Sequence, residues 1–232
     1  MSEYKRIGES QTSPAANTVR KVIDVAPYVG SNGYIQNAEF IQKPIAALEL
    51  SDIKGPVAIV MHRTVSSTAS SALSAFQRGI GTHFVIDKDG TTYQCASLFK
   101  KTAHVGPIRS RCHIEGTCST FAVATFSGWN SRMKCFNHEK SKKYPIRYPM
   151  NEDSVGIEVV AMYDADTRRW DPTPPLQSRA VHFLVDFLKN EYRLANVDIY
   201  EHDKIAWKTE GEGADLYYVP DIPIVQPKLP PA

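Results

Sequence analysis

The sequence lacks the long apolar segments that export or anchor proteins. Residues 1–10 contain no apolar core of the kind that a secretory signal peptide needs. No window of about 18 apolar residues occurs, so no membrane-spanning helix is expected. We therefore expect a protein that is made in the cytosol. If it acts outside the cell, it is delivered by a route other than the general secretion signal.

The chain also lacks a strong excess of either charge. Its 232 residues carry a formal net charge of only +2, and the 42% of apolar residues is ordinary for a globular protein. This balance gives no electrostatic case for nucleic acid, which is therefore not a predicted partner. Basic residues do cluster within residues 134–147. That cluster indicates either a solvated loop or contact with an anionic polymer such as a cell wall.

Cysteine is scarce and is not spaced for a structural zinc finger. The four cysteines are Cys95, Cys112, Cys118 and Cys135, and no two of them have C-x-x-C spacing. Cys112 and Cys118 are six residues apart and could form a small disulfide in an oxidising compartment. The alternative is four free thiols, and the compartment decides between the two.

Strand and helix patterns are intermixed along the chain. Apolar runs predict strands at residues 57–61, 154–161 and 197–200, and Asp89-Gly90 predicts the turn of a hairpin within residues 82–95. Helices are predicted at residues 69–78 and 174–192. Ser66-Ser67-Thr68 offers an N-cap for the first helix, and Thr173 is the cap of the second. The second helix is predicted to bury one apolar face, formed by Leu176, Ala180, Phe183, Leu184, Phe187 and Leu188. The pattern predicts an α/β (α+β) fold, a single domain with a central mixed β-sheet flanked by helices.

Composition divides the chain into three parts. Residues 1–47 are polar and are interpreted as an N-terminal extension. Residues 48–218 form the predicted folded domain, in which residues 107–150 are an irregular insertion with little periodicity. Residues 219–232 are rich in proline and predict an extended tail.

Two histidines that follow apolar runs carry the functional signal. His62 follows Val57-Ala-Ile-Val-Met, and His202 follows Ile199-Tyr-Glu, so each is predicted at or near the end of a strand. Lys208 and several acidic residues come after His202. Two imidazoles displayed in this way, with a carboxylate nearby, can form an open zinc site. The pattern favours a hydrolase.

Five segments in this order resemble a known enzyme family. They are the strand ending in His62, Thr82-His-Phe-Val-Ile-Asp-Lys-Asp-Gly-Thr, Thr102-Ala-His104-Val-Gly106, Asn151-Glu-Asp-Ser-Val-Gly-Ile-Glu158, and His202 with Lys208. Over residues 55–217 the chain resembles the type 2 zinc-dependent N-acetylmuramoyl-L-alanine amidases, which are related to peptidoglycan recognition proteins and phage lysozyme-type amidases. The resemblance implies a Zn²⁺ enzyme whose substrate is peptidoglycan. It would cut the amide between N-acetylmuramic acid and the first L-alanine of the stem peptide.

The resemblance also implies the metal ligands. His62 and His202 are two of them, and the family's third ligand is a Cys or Asp eight to ten positions after the second histidine. The carboxylates near this distance are Glu210, Glu212 and Asp215. We expect Glu212 to be the ligand, because the glycines on either side of it permit close backbone approach. The other two carboxylates remain alternatives.

Glu158 and Lys208 are the implied catalytic residues. Glu158 lies in a run of Val and Ile, where a carboxylate is costly without a function or an arginine partner. In the family branch that carries Glu here it is the general base, and burial would raise its pKa toward the working range. The other branch uses Tyr where this chain has Thr82. Lys208 matches a lysine that donates to the developing oxyanion, with an ordinary surface lysine as the alternative. His104 and Thr82 are the implied substrate contacts.

The biological role remains open between several contexts. An amidase made in the cytosol would act on the cell wall as a phage endolysin or as an antibacterial effector. An effector would have a secretion machine and a cognate immunity protein as partners. A recycling amidase is a third context. A different class is a non-catalytic peptidoglycan-binding protein. This interpretation is favoured if no carboxylate among residues 210, 212 and 215 reaches the metal. An unrelated metal hydrolase is disfavoured by the order of the motifs.

Overall fold

The computed structural model describes residues 26–217 of the chain. The predicted tail at residues 219–232 lies outside the described residues. The strands are β1 (Tyr28–Val29), β2 (Ile35–Gln36), β3 (Phe40–Gln42), β4 (Ala58–Arg63), β5 (Phe84–Ile86), β6 (Thr92–Gln94), β7 (Ser154–Val159), β8 (Tyr163–Asp164), β9 (Arg169–Trp170) and β10 (Ile199–Glu201). The helices are α1 (Ala69–Phe76), α2 (Arg111–Ile114), α3 (Thr120–Thr125), α4 (Ser131–Glu139), α5 (Pro175–Tyr192) and α6 (His202–Ile205), with 3₁₀ turns at Ala46–Leu48 and Asn196–Asp198.

A six-stranded mixed sheet forms the centre of the fold and confirms the predicted class. Its strand order is β10-β4-β7-β5-β6-β3. β10, β4, β7 and β5 run parallel to one another, whereas β6 is antiparallel to β5. β5 and β6 form the predicted hairpin, in which Gly90 adopts a φ of +89°. β4 and β7 have sheet neighbours on both sides and are covered on both faces, which explains their nearly continuous apolar sequences.

The alternation of side chains along β4 separates two layers. Ile59 and Met61 point into the main core, which is packed under α5, whereas Val60 joins a separate cluster with Ile205. His62 continues the Val60 side of the strand. The first layer therefore supplies the folded core, and the second faces the segment that contains α6.

The long helix α5 covers the first layer with a face that matches the prediction in part. Leu184 and Leu188 are buried as predicted, and Ala180 and Phe187 pack against the core. The buried residues of α5 are Gln177, Val181, Leu184, Val185 and Leu188, whereas Leu176 and Phe183 are exposed. The apolar pattern is misleading because a polar residue occupies the buried stripe. The Gln177 side-chain amide donates to the carbonyl oxygens of Ile86 and Val160. Pro174 is the N-cap where Thr173 was expected, whereas Thr68 caps α1 as predicted.

The described part of the predicted N-terminal extension joins the central sheet. β3 pairs with β6 as the outermost strand, and the Gln94 side chain accepts a hydrogen bond from the backbone of Ile35. The boundary at residue 47 stays a prediction about domain organisation. Among the described residues, no helix has the length and apolar character needed to cross a bilayer.

The insertion at residues 107–150 contains three short helices, α2, α3 and α4, where the sequence predicted irregular chain. Cys112 and Cys118 form a disulfide, the first of the two outcomes that the sequence left open. Cys95 and Cys135 are buried free thiols. The insertion is joined to the rest of the domain beside α6, where Ile108 bridges to Ala206 and the Arg109 backbone donates to Ile205.

Candidate metal centre

Parallel strands bring the two histidines to one edge of the sheet. β4 and β10 are neighbours with Met61 opposite Glu201. His62 comes next on β4, and His202 follows β10 as the first residue of α6. The two imidazole rings lie 4.1 Å apart between centroids, and both are buried. The prediction that each histidine lies at or near a strand end is confirmed.

Glu212 reaches both histidines from the loop after α6. Its Oε1 atom lies 2.8 Å from Nδ1 of His202 and 3.6 Å from Nδ1 of His62. The three donor atoms lie within 4.8 Å of one another, and all three residues are buried. Glu210 and Asp215 are exposed and are not members of this group. The structure thus brings together the three residues predicted as ligands.

Asp203 holds the loop that presents Glu212, a contact that the sequence analysis missed. Its two carboxylate oxygens accept from the backbone N–H groups of Gly211 and Gly213 at 3.0 and 3.1 Å. Gly211 has a φ of +77°, and a Cβ atom on Gly213 would lie 2.6 Å from the Met61 carbonyl oxygen. The loop therefore needs both glycines, as expected. Its signal in the sequence is the aspartate directly after His202.

The outer nitrogen of each histidine is also engaged. Nε2 of His202 lies 2.8 Å from the carbonyl oxygen of Val105, which can only accept, so this nitrogen carries the proton. Nε2 of His62 lies 3.1 Å from Nδ1 of His104, whose Nε2 is 3.3 Å from the Ser154 hydroxyl. Metal-binding histidines characteristically have such partners, which fix the ring and its tautomer. His104 therefore supports the His62 ring at Nε2, the nitrogen that does not face Glu212.

The predicted substrate contacts, His104 and Thr82, are both buried. The Thr82 hydroxyl donates to the Phe84 carbonyl oxygen at 2.8 Å. A Cβ atom on Gly156 would lie 2.7 Å from atoms of both side chains, so glycine at this position leaves room for them. Their direct contact with substrate stays a prediction.

Glu158 lies beside His62 across the β4–β7 ladder. The two residues are register partners, so their side chains project from the same face of the sheet. Burial raises the pKa of Glu158 to about 8, with the nearby Glu212 carboxylate adding to the rise and Lys208 opposing it. Lys208 is exposed, and its charge also contributes to the lowered pKa of His62. The two predicted catalytic residues thus act electrostatically on one site.

The protonation states within the cluster suit metal ligation. Burial, assisted by the charge of His202, lowers the pKa of His62 to about 3, which leaves its imidazole neutral at pH 7. Burial alone would raise the pKa of Glu212, but the close contacts of its carboxylate with the His202 and His62 rings outweigh burial and lower the pKa, so that the carboxylate is ionised at pH 7. A neutral imidazole and an ionised carboxylate are the forms that bind a metal ion.

A family comparison identifies the chain. The sequence profile of the N-acetylmuramoyl-L-alanine amidase family matches residues 54–214. The chain belongs to this amidase family. Membership confirms the predicted resemblance and enzyme class, and the matched segment contains every residue of the cluster described above. No curated protein sequence matches the chain.

The chain is similar to solved structures at low sequence identity. A selenomethionine derivative of AmpD aligns with a TM-score of 0.53 and 15% identity, covering 81% of this chain and 93% of that chain. AmiD from E. coli, in complex with anhydro-N-acetylmuramic acid-L-Ala-D-γ-Glu-L-Lys, has a TM-score of 0.45 and 14% identity, covering 76% and 57%. A mutant endolysin from Bacillus subtilis has a TM-score of 0.45 and 19% identity, covering 74% and 87%.

Proposed function

We propose that the protein is a zinc-dependent amidase that cleaves the bond between N-acetylmuramic acid and L-alanine in peptidoglycan. The observation that carries the proposal is the convergence of His62, His202 and Glu212 on one point, in a chain of the amidase family. Residues 48–218 are the proposed catalytic domain, and the family match falls within them. The cell wall is the proposed place of action, in an endolysin or an antibacterial effector that an immunity protein would block.

The donor set of the cluster fits a zinc ion. Two imidazole nitrogens and one carboxylate oxygen are the protein ligands of open catalytic zinc sites. Nδ1 of His62 and Nδ1 of His202 both face Oε1 of Glu212, and the outer ring nitrogens are held by Val105 and His104. Zinc held there would lower the pKa of water toward ~7 and polarise the substrate carbonyl.

Glu158 is the proposed general base. The raised pKa of Glu158 makes its ionised form a stronger base than an ordinary carboxylate, suited to take a proton from the attacking water and then give it to the leaving nitrogen. Its register with His62 places it on the same face of the sheet as the proposed ligand.

Lys208 is the proposed stabiliser of the negative charge that develops on the carbonyl oxygen. Its positive charge opposes the rise in the pKa of Glu158 and contributes to the lowered pKa of His62, which supports a role for Lys208 at this site. His104 acts through His62, whose ring it orients. A non-catalytic wall-binding role is disfavoured because the Glu212 carboxylate reaches both histidines.

Mass spectrometry of purified peptidoglycan fragments tests the proposed reaction. The zinc-loaded protein should release free stem peptides and leave intact glycan, and a chelator should stop the release. The Glu158→Gln variant is the matched control, because it keeps the proposed ligands and removes the base. Unchanged fragments in the presence of zinc-loaded, folded protein would reject the amidase function and favour wall binding.

A further inference from the structure

A second cluster of metal-binding side chains lies in the insertion. Cys112 in α2 and His138 and Glu139 in α4 offer ligand atoms that all lie within 4.8 Å of one another. Cys118 belongs to the same cluster because its sulfur is bonded to that of Cys112. We propose that reduction of this disulfide creates a second zinc site, with Cys112, Cys118, His138 and Glu139 as its ligands.

The environment of the Glu139 carboxylate indicates that it can bind a cation. Its side chain has 0% solvent exposure. Oε1 accepts from the Ser110 hydroxyl at 2.7 Å and pairs with Nζ of Lys142 at 2.6 Å. Oε2 is buried and has no hydrogen-bond partner within residues 26–217. A buried carboxylate oxygen without a partner is costly, and coordination of a cation would remove that cost.

The sulfurs and the carboxylate lie close to one hydroxyl group. The Ser110 hydroxyl touches Glu139 and lies 3.4 Å from the sulfur of Cys112 and 3.7 Å from that of Cys118. Nε2 of His138 lies 3.7 Å from Oε1 of Glu139, and the His138 side chain is 35% exposed. The imidazole of His138 is therefore a donor of this cluster that is accessible from solvent.

The four donors match a structural zinc site. Two thiolates, an imidazole and a carboxylate would fill the four positions of a tetrahedral zinc ion, unlike the three donors around His62. None of the four residues belongs to the proposed catalytic cluster. The second site would therefore hold the helices of the insertion together without taking part in hydrolysis.

The change from disulfide to metal site needs a dithiol as reductant. The dithiol supplies two electrons and two protons, the bond between the sulfurs of Cys112 and Cys118 breaks, and the reductant becomes a disulfide. Zinc binding then displaces the two thiol protons to solvent. In the oxidised protein the disulfide links Cys112 to Cys118. In the reduced protein the metal ion would link both cysteines to His138 and Glu139.

Cobalt(II) binding followed by absorption spectroscopy tests this site separately from the catalytic one. Thiolate ligands give cobalt(II) a near-ultraviolet charge-transfer band, which a site of two histidines and a carboxylate does not give. The full-length protein is reduced with a dithiol, freed of it without air and titrated with cobalt(II). We expect the band in the reduced protein and not in the oxidised protein. A reduced protein that stays folded by circular dichroism and shows no band would overturn the proposal.

Substitutions locate the band on the proposed ligands. The double variant Cys112→Ser with Cys118→Ser should abolish it, and Glu139→Gln should weaken cobalt binding by at least ~10-fold. Cys95→Ala is the matched control, because Cys95 is a buried free thiol in another core cluster and should leave the band unchanged. A band that survives the double variant would place the metal on another thiol, such as Cys135, and overturn the assignment. The band needs thiolate ligands, and the proposed catalytic cluster has none. A negative result here would therefore leave the proposed amidase function unaffected.

Discussion

The two polar clusters of this chain are built in different ways. The cluster of His62, His202 and Glu212 gathers residues that are far apart in the sequence, and strand register within the parallel sheet fixes two of them. The insertion cluster draws on residues 112–139 only, from α2, from the loop that the disulfide bonds to α2, and from α4. A sheet edge gives the first cluster a geometry that does not depend on redox state. The second depends on whether its sulfurs are bonded to each other.

The largest expected effect comes from His62→Ala. The change removes a proposed zinc ligand held rigidly on β4, so zinc binding and amidase activity should be lost together. Elemental analysis of the dialysed variant and a stem-peptide release assay measure the two. Cobalt binding to the thiols of the reduced insertion should persist in this variant, which separates the two clusters.

His182→Ala is the matched control for this variant. His182 lies on α5 and packs against the Tyr217 ring, away from both clusters. Its substitution should leave metal content and activity at wild-type levels. If His62→Ala kept full activity, His62 would not be a ligand and the sheet-edge cluster would be a structural feature.

Glu158→Gln should separate metal binding from turnover. The amide keeps the size of the carboxylate but cannot take a proton, so turnover should fall by about 10²-fold or more while zinc content stays at wild-type level. Steady-state kinetics on a soluble muramyl peptide, with zinc analysis of the same sample, give both quantities. A near-normal rate would make Glu158 a structural carboxylate.

Asp203→Asn should have a smaller effect that acts through Glu212. An asparagine side chain has one carbonyl oxygen, so it cannot accept from both Gly211 and Gly213 as the aspartate does. Loss of such a supporting contact should weaken zinc affinity by about 10- to 100-fold, and excess zinc should restore activity. Zinc titration with a competing chelator measures the change. Asp215→Asn, on the same loop but exposed, should leave the affinity unaltered. Equal effects of the two variants would contradict a positioning role for Asp203.

Much of the sheet cluster could be predicted because its signals are local. An apolar run before His62 and another before His202 predict strand ends, and parallel strands that end at one edge bring such residues together. Glu158 could be identified because a carboxylate in a run of Val and Ile is unusual. Glycines on either side of Glu212 distinguished it from Glu210 and Asp215.

The remaining contacts could not be predicted because they depend on tertiary packing. His104 lies between His62 and Ser154 of β7 and contacts both side chains. The periodicity of the sequence does not predict this contact, because His104 lies outside the strands and helices. The predicted face of α5 was wrong at Leu176 and Phe183, which are exposed. Gln177 is buried instead, because its side chain donates to the carbonyl oxygens of Ile86 and Val160. The insertion looked irregular because its helices are shorter than the span over which periodicity can be read.

The smallest expected effect concerns stability and involves His83, a buried histidine next to the sheet cluster. Its Nδ1 accepts from the Gly156 N–H at 3.2 Å, and its Nε2 donates to the Lys100 carbonyl oxygen at 2.9 Å. Only the neutral ring can make both contacts. Burial accordingly lowers the pKa of His83 to about 4, whereas an unfolded chain would have a value near ~6.5.

The sign of the pH dependence follows from these two values. As the pH falls below ~6.5, His83 binds a proton in the unfolded state but not in the folded state. The free energy of unfolding therefore declines until the pH reaches about 4. Between pH 6.5 and 5.5 the loss attributable to His83 should be about 1 kcal/mol. Urea denaturation at both pH values measures it as the difference between the wild type and His83→Gln, whose amide does not titrate. An identical pH dependence in the two proteins would show that His83 is protonated in the fold, and the Gly156 N–H would then need another acceptor.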